Sequence, residues 1–318
     1  MKIVVLDTEL VNPGDLAWDD FSRLGELVLY PGTPPEKAAA RLAGADVALL
    51  NRVSMTRDTL RECPSLRYIG LFSTGYNQVD IAAARQQGIT VSNVPGYSTV
   101  SVSQHTIALL LAATNHVASL TGQVQSGAWV HSEQTFPQDT PSELYGKTLG
   151  IIGLGNIGKA VAGIAAALGM RVLATGTRPT PEGEALATFC TLPELLAASD
   201  VVSLHCPLLP ATRHIIDEAA LACMKPGAIL LNTSRGPLID DAAVAQALHS
   251  GHLAAAGLDV LPKEPPAPGS PLLSAPRCFI TPHMGWRTPE TRARLLGQVL
   301  RNLLAFLEGN PENVVSLG

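Results

Sequence analysis

Hydrophobic positions in the first hundred residues fall into short runs, KIVVLD, LVLY, DVALLN, LRYIGLFS and ITVSN, each rich in Val, Ile or Leu. Between them lie Ala-rich stretches such as EKAAARLAGA (36–45) and DIAAARQQG (80–88), with Gly near the expected helix stop. Apolar strands alternating with helices predict a parallel sheet covered by those helices. Asn93, Val94, Pro95 and Gly96 break the rhythm. The segment TVSVSQHTIALLLAATNHVASLTGQVQSG that follows is compatible with a long helix and crowded with small residues, which predicts a helix at a domain or subunit contact.

A second rhythm begins at Lys147, with strands TLGIIG, MRVLATG, VVSLHC, AILLNTS, AAGLDV and RCFITPH separated by helical stretches. Six such strands predict a doubly wound sheet, so the fold class is α/β with two parallel-sheet domains. Near the C-terminus, apolar residues at 295, 296, 299, 300, 303, 304 and 307 follow one helical face and require a surface to cover.

Composition narrows the functional classes. The 318 residues are 46% hydrophobic and 15% charged, against about 25% charged in an average soluble domain, which excludes a disordered chain. A formal net charge of −5 offers no basic field for nucleic acid or an anionic membrane, so neither is an expected partner. The five cysteines have no CxxC or metal-ligand spacing, which fits a reducing cytoplasm and predicts no metal site. The apolar run at the N-terminus is too short for a signal-peptide core, and no segment reaches the length of a membrane helix.

The first chemical motif is GLGNIG, in which Gly153, Gly155 and Gly158 follow an apolar strand and open an Ala-rich helix. In that context the first glycine makes the turn, the second admits a pyrophosphate, and the third lets helix pack on strand. The helix N-terminal amides, those of Asn156 and Ile157 included, face the anion. NAD sites carry an acidic residue at the end of the next strand, about 20 positions on, to bind the ribose hydroxyls. Here that strand ends in Gly176, Thr177 and Arg178. No carboxylate repels a 2′-phosphate and a guanidinium is present to bind one, so NADP is favoured over NAD.

Three polar residues follow the last strands of the second domain: Arg235 after ILLNTS, Glu264 after GLDVLPK, and His283 after CFITP. In open α/β sheets this is the ligand-binding edge. An arginine holds a carboxylate bidentately, a histidine exchanges a proton near neutral pH, and a carboxylate orients the imidazole. Beside a nicotinamide these groups complete a hydride-transfer site.

The segments LFSTGYNQVDIAAARQQGI, SVSQHTIALLL, GKTLGIIGLGNIG, HCPL, LLNTSRGPLID, GHLAAAGLDVLPKEPP and ITPH together resemble the D-isomer-specific 2-hydroxyacid dehydrogenase family across nearly the whole chain. SVSQHT, GYNQVD and HMGW look most like its glycerate dehydrogenase, or hydroxypyruvate reductase, branch. The resemblance implies a Rossmann nucleotide domain (99–285) inserted into a flavodoxin-like substrate domain built from 1–98 and 286–318. It implies that Arg235 binds the substrate carboxylate and reacting oxygen, that His283 is the general acid in reduction, and that Glu264 keeps His283 protonated. It places substrate also on the amides of Ser73, Thr74 and Gly75. Cofactor contacts are implied at Thr74, Cys206, Pro207, Thr233, Ser234, Asp259, His283 and Gly285. Trp286 and Tyr76 either shape the substrate pocket or pack at a contact.

The activity so implied is reduction of a small 2-oxoacid, hydroxypyruvate or glyoxylate, by a homodimer using NAD(P)H. A bulkier 2-oxoacid such as phenylpyruvate or 2-oxoisocaproate, and a nucleotide-sensing relative without enzymatic activity, are the alternatives.

Overall fold

The structure is a computed structural model that describes residues 1–130, 140–176 and 178–315. It divides into two compact units, Met1–Ser98 with Trp286–Gly318, and Thr99–Gly285. Both are α/β with parallel sheets, as the alternating pattern requires.

The first unit holds β1 (Lys2–Val5), β2 (Glu26–Leu29), β3 (Val47–Leu50), β4 (Tyr68–Leu71) and β5 (Thr90–Ser92) in the order β2-β1-β3-β4-β5. Strands β3 and β4 are buried at every residue, whereas edge strand β2 leaves Glu26 and Leu29 exposed. That difference is why VALL and YIGL read as continuous apolar runs. The C-terminal helix Pro289–Leu307 starts on a Thr288 cap with Pro at its first position. It buries Leu295, Leu296, Val299 and Leu303, while Leu304 and Leu307 at the end of the expected face stay exposed. The helix reaches the sheet at Gly70, where an added Cβ would lie 3.4 Å from Val299. Asn302, fully enclosed, donates to the Asn93 carbonyl at 2.9 Å and ties the helix to the chain after β5.

The second unit holds β6 (Thr148–Ile152), β7 (Arg171–Thr175), β8 (Thr188–Phe189), β9 (Val201–Leu204), β10 (Ala228–Asn232), β11 (Leu253–Leu258) and β12 (Cys278–Ile280). Their order is β12-β11-β10-β9-β6-β7-β8, so the chain switches direction between β6 and β9 and opens a crevice at their C-terminal ends. The sequence pattern predicts six strands; the seventh, β8, has two residues and lies at the edge beside β7, too short to carry a period.

The segment 99–127 also differs from its expectation. It forms helix Thr99–Asn115 and helix Val117–Gln125, bent by 53° at His116, whose left-handed backbone (φ 53) ends the first helix. The first helix lies close over β11 because Gly257 has no side chain: a Cβ there would stand 2.9 Å from Leu109 and from Leu231. Among the described residues no single helix is long and apolar enough to cross a membrane.

Candidate active site

The three glycines after β6 have separate physical reasons. Gly153 has φ 98, and a Cβ on it would lie 2.6 Å from the Cys206 nitrogen, so only glycine lets this turn rest against the end of β9. A Cβ on Gly158 would strike the Gly153 carbonyl, so that glycine sets the packing of helix on strand. Gly155 has an ordinary φ of −80, and a Cβ on it would meet nothing within 4 Å, so the protein itself makes no demand for glycine there. Open space at that point suits the pyrophosphate of a dinucleotide. Helix Asn156–Ala167 begins immediately after it with no side-chain cap, leaving the amides of Asn156, Ile157 and Gly158 without intrahelical acceptors. Gly176 follows β7 in a left-handed conformation (φ 73), and Arg178 two residues on is exposed. Thr177 lies outside the described residues.

At the end of β9, Cys206 is buried and burial pushes its thiol up, so it is a neutral group. Its carbonyl accepts from the Ser234 hydroxyl at 2.8 Å. Pro207 is exposed and its carbonyl accepts from Thr212 at 2.7 Å. His205, between the strand and Cys206, is also neutral, since desolvation lowers its pKa to about 4, and it contacts Ser203 at 2.9 Å.

Arg235 is half-buried three residues beyond β10, with one guanidinium nitrogen donating to the Ser234 carbonyl at 2.8 Å. Asn232, the last residue of the strand and fully enclosed, clamps this loop from inside: its amide donates to the Arg235 carbonyl at 2.9 Å and accepts from the Ser234 N–H at 3.0 Å. Thr233 contacts Thr106 through their hydroxyls at 2.8 Å.

The other two members of the trio meet directly. Nδ1 of His283 lies 2.7 Å from Oε2 of Glu264, and about a quarter of each side chain is exposed. Oε1 of Glu264 accepts from the Leu261 N–H at 3.2 Å, which fixes the carboxylate. His283 has a left-handed backbone (φ 57), held by its N–H donating to the carbonyls of Asp259 and Thr281, both at 2.9 Å. With Nδ1 occupied by Glu264, Nε2 is the ring nitrogen left for a ligand.

Asp259 organises the loop that carries this histidine. It is buried at 3% exposure, and its carboxylate accepts from the Thr281 hydroxyl at 2.5 Å and from the N–H groups of Met284 and Gly285 at 2.8 Å each. Burial alone raises its pKa, but hydrogen bonds from His105, Thr281, Met284 and Gly285 outweigh that and hold it below 3.8.

In the first unit, Ser73, Thr74 and Gly75 follow β4. Ser73 Oγ donates to the Gly75 carbonyl at 2.6 Å and Thr74 Oγ1 to the Val94 carbonyl at 2.8 Å. Among the described residues, none of their three backbone N–H groups has an acceptor, the state expected of an anion-binding loop. Trp286 is buried against the Tyr97 ring (centroids 6.4 Å apart) and is packing, whereas Tyr76 is 41% exposed.

The sequence profile described as D-isomer specific 2-hydroxyacid dehydrogenase, NAD binding domain, matches residues 107–285. The chain is 45% identical to a hydroxypyruvate reductase of Blautia hydrogenotrophica over 99% of its length and 100% of the relative's. It is 40% identical to a glycerate dehydrogenase of Methylorubrum extorquens, covering 99% and 98%. The chain belongs to the D-isomer specific 2-hydroxyacid dehydrogenase family. Among solved structures, an acyclic imino acid reductase in complex with NADPH and D-arginine superposes with a TM-score of 0.88 at 30% identity, covering 99% of this chain and 100% of that one. The protein is thus an oxidoreductase of a nicotinamide-dependent family, with a Rossmann domain as its second unit.

Several site residues carry no motif of their own. Asn232 lies inside the family segment LLNTSRGPLID, where an Asn at the end of an apolar strand is its only signal. His105 and Thr106 lie inside SVSQHT, and Thr281 inside ITPH; nothing local distinguishes them from ordinary helix and loop residues.

Proposed function

We propose that the protein reduces a small 2-oxoacid, hydroxypyruvate or glyoxylate, to the D-2-hydroxyacid, with NADPH as the favoured reductant. The observation that carries this reading is the His283–Glu264 pair at 2.7 Å, on the same edge of the second sheet as a turn open to a pyrophosphate. A reduced nicotinamide bound there supplies a hydride to C2 of the oxoacid.

The chain's own residues do the rest. Arg235 holds the carboxylate and stabilises the oxyanion that develops at C2, an interaction that strengthens toward the transition state. His283 transfers the Nε2 proton to that oxygen, and Glu264 accepts from Nδ1, steadying the ring and its positive charge before transfer. The amides of Ser73, Thr74 and Gly75 are proposed as further donors to the substrate carboxylate, as the family resemblance implies. The cofactor contacts are the amides of the first helical turn, with Cys206, Pro207, Thr233, Ser234 and Gly285 lining the strand ends. Asp259 acts mainly by fixing the histidine loop.

Preference for NADP rests on Gly176 and Arg178: a left-handed glycine stands where NAD sites place a carboxylate, with a guanidinium two residues on. Homodimerisation is supported by exposed apolar side chains on and after the bent helix pair, with Val100 68%, Val117 64% and Trp129 72% exposed.

Steady-state rates with NADH and NADPH against hydroxypyruvate, glyoxylate, phenylpyruvate and 2-oxoisocaproate test this function. The highest kcat/KM is expected for NADPH with one of the two small acids. Nucleotide binding without turnover on any acid would instead identify a sensor.

A further inference from the structure

Helix Thr99–Asn115 sends two adjacent side chains to two different strand-end loops. Thr106, fully buried, contacts Thr233 in the loop after β10, and His105 contacts Thr281 in the loop after β12, both at 2.8 Å. Successive helical residues point about 100° apart, and the helix lies over β11, the strand between those two, so neighbouring side chains diverge to both.

Proton counting gives each bond a direction. The Thr106 hydroxyl donates to the Val102 carbonyl at 2.8 Å, so Thr233 donates to Thr106. The Thr281 hydroxyl donates to Asp259, so it accepts from His105, whose proton therefore sits on Nε2. Asp259 Oδ1 lies 3.3 Å from the same nitrogen. Gly285 makes room for the ring, since a Cβ there would lie 3.4 Å from His105 Cδ2 and 3.0 Å from Asp259 Oδ2.

We infer that His105 and Thr106 are positioning residues of the hydride-transfer site, one fixing the loop of His283 and the other the loop of Arg235, so that a single rigid helix spaces the acid from the anion-binding group. The inference rests on the roles proposed above for Arg235 and His283. It makes the donor at the Nε2 position of residue 105, and the hydroxyl at 106, matter to turnover while neither touches substrate.

The test compares H105N with H105Q and T106V with T106S, alongside H283A. Glutamine keeps an N–H near the Nε2 position and asparagine does not; serine keeps the hydroxyl and valine keeps only the shape. Misplacing a reacting group by about 1 Å costs on the order of 100-fold, so H105N and T106V are expected to lose roughly 10- to 100-fold in kcat, with nucleotide Kd and Tm changed far less. H105Q and T106S are expected to recover most of that loss.

Wild-type-like kcat in H105N and T106V, or equal impairment of each conservative partner, overturns the inference. Should H105N not fold, the T106V and T106S pair carries the same comparison. If H283A also retains full activity, the assignment of the acid fails first, which separates the two conclusions.

Discussion

Replacing Glu264 by Gln removes one charge and leaves the shape of the side chain, and the structure says why that small change matters. Both carboxylate oxygens accept hydrogen bonds, Oε2 from His283 at 2.7 Å and Oε1 from the Leu261 N–H at 3.2 Å. Glutamine has one acceptor oxygen, so one of the two donors must face an NH2 group. If the amide satisfies Leu261, the imidazole loses its partner; if it satisfies the imidazole, the loop around it must move. A hydrogen bond to a charged group contributes about 1.5–3 kcal/mol, and the quarter exposure of both side chains argues for the lower half of that range. At about 1.4 kcal/mol per decade, E264Q is expected to lose roughly 10- to 40-fold in kcat/KM for oxoacid reduction. Most of the loss should fall in kcat, since the ring serves the transition state more than it serves binding. Initial rates of NADPH oxidation with hydroxypyruvate from about pH 5 to about pH 9 measure it. Rates within about 2-fold of wild type at every pH would refute the role given to the pair.

Arg178→Ala is expected to raise KM for NADPH by roughly 10-fold or more and leave NADH nearly unchanged, because a guanidinium–phosphate contact is charge-assisted; equal effects on both nucleotides would remove Arg178 from the site. Gly153→Ala and Gly155→Ala should separate fold from binding. The former forces a side chain into a φ of 98 and against Cys206 and lowers Tm, whereas the latter leaves Tm near wild type and weakens nucleotide binding, both read by thermal melts and titration. Asp259 gives a pH prediction. Its folded pKa lies below the 3.8 of the unfolded group, so its contribution to stability is complete above that value and is lost as pH falls through the folded one. D259N is expected to be less stable at neutral pH and to show a flatter acid limb in a circular-dichroism titration, and an unchanged acid limb would contradict the assignment.

The central strands were legible because they are buried on both faces: TLGII and AILLN are enclosed at every residue and read as largely apolar runs. The two-residue β8 was not, since a period needs more than one repeat. The bend at His116 was hidden because its left-handed residue is neither Gly nor Asn, the usual signals. Arg235, Glu264 and His283 stood out as polar residues after apolar strands. The groups that brace them did not, because His105 meets Thr281 across 176 residues and Thr106 meets Thr233 across 127, pairings that only the folded sheet creates. Gly155 was legible by motif alone, while its open surroundings needed the structure.

The central claim is that this chain moves a hydride from a reduced nicotinamide to C2 of a 2-oxoacid while His283 supplies the proton. The most direct measurement uses NADPH deuterated at both C4 positions with hydroxypyruvate or glyoxylate, followed by mass spectrometry of the product. The account predicts one deuterium, bound to carbon at C2, with the D configuration where C2 is a stereocentre, and its near disappearance with H283A. A product free of deuterium, or one formed equally fast by H283A, would contradict it.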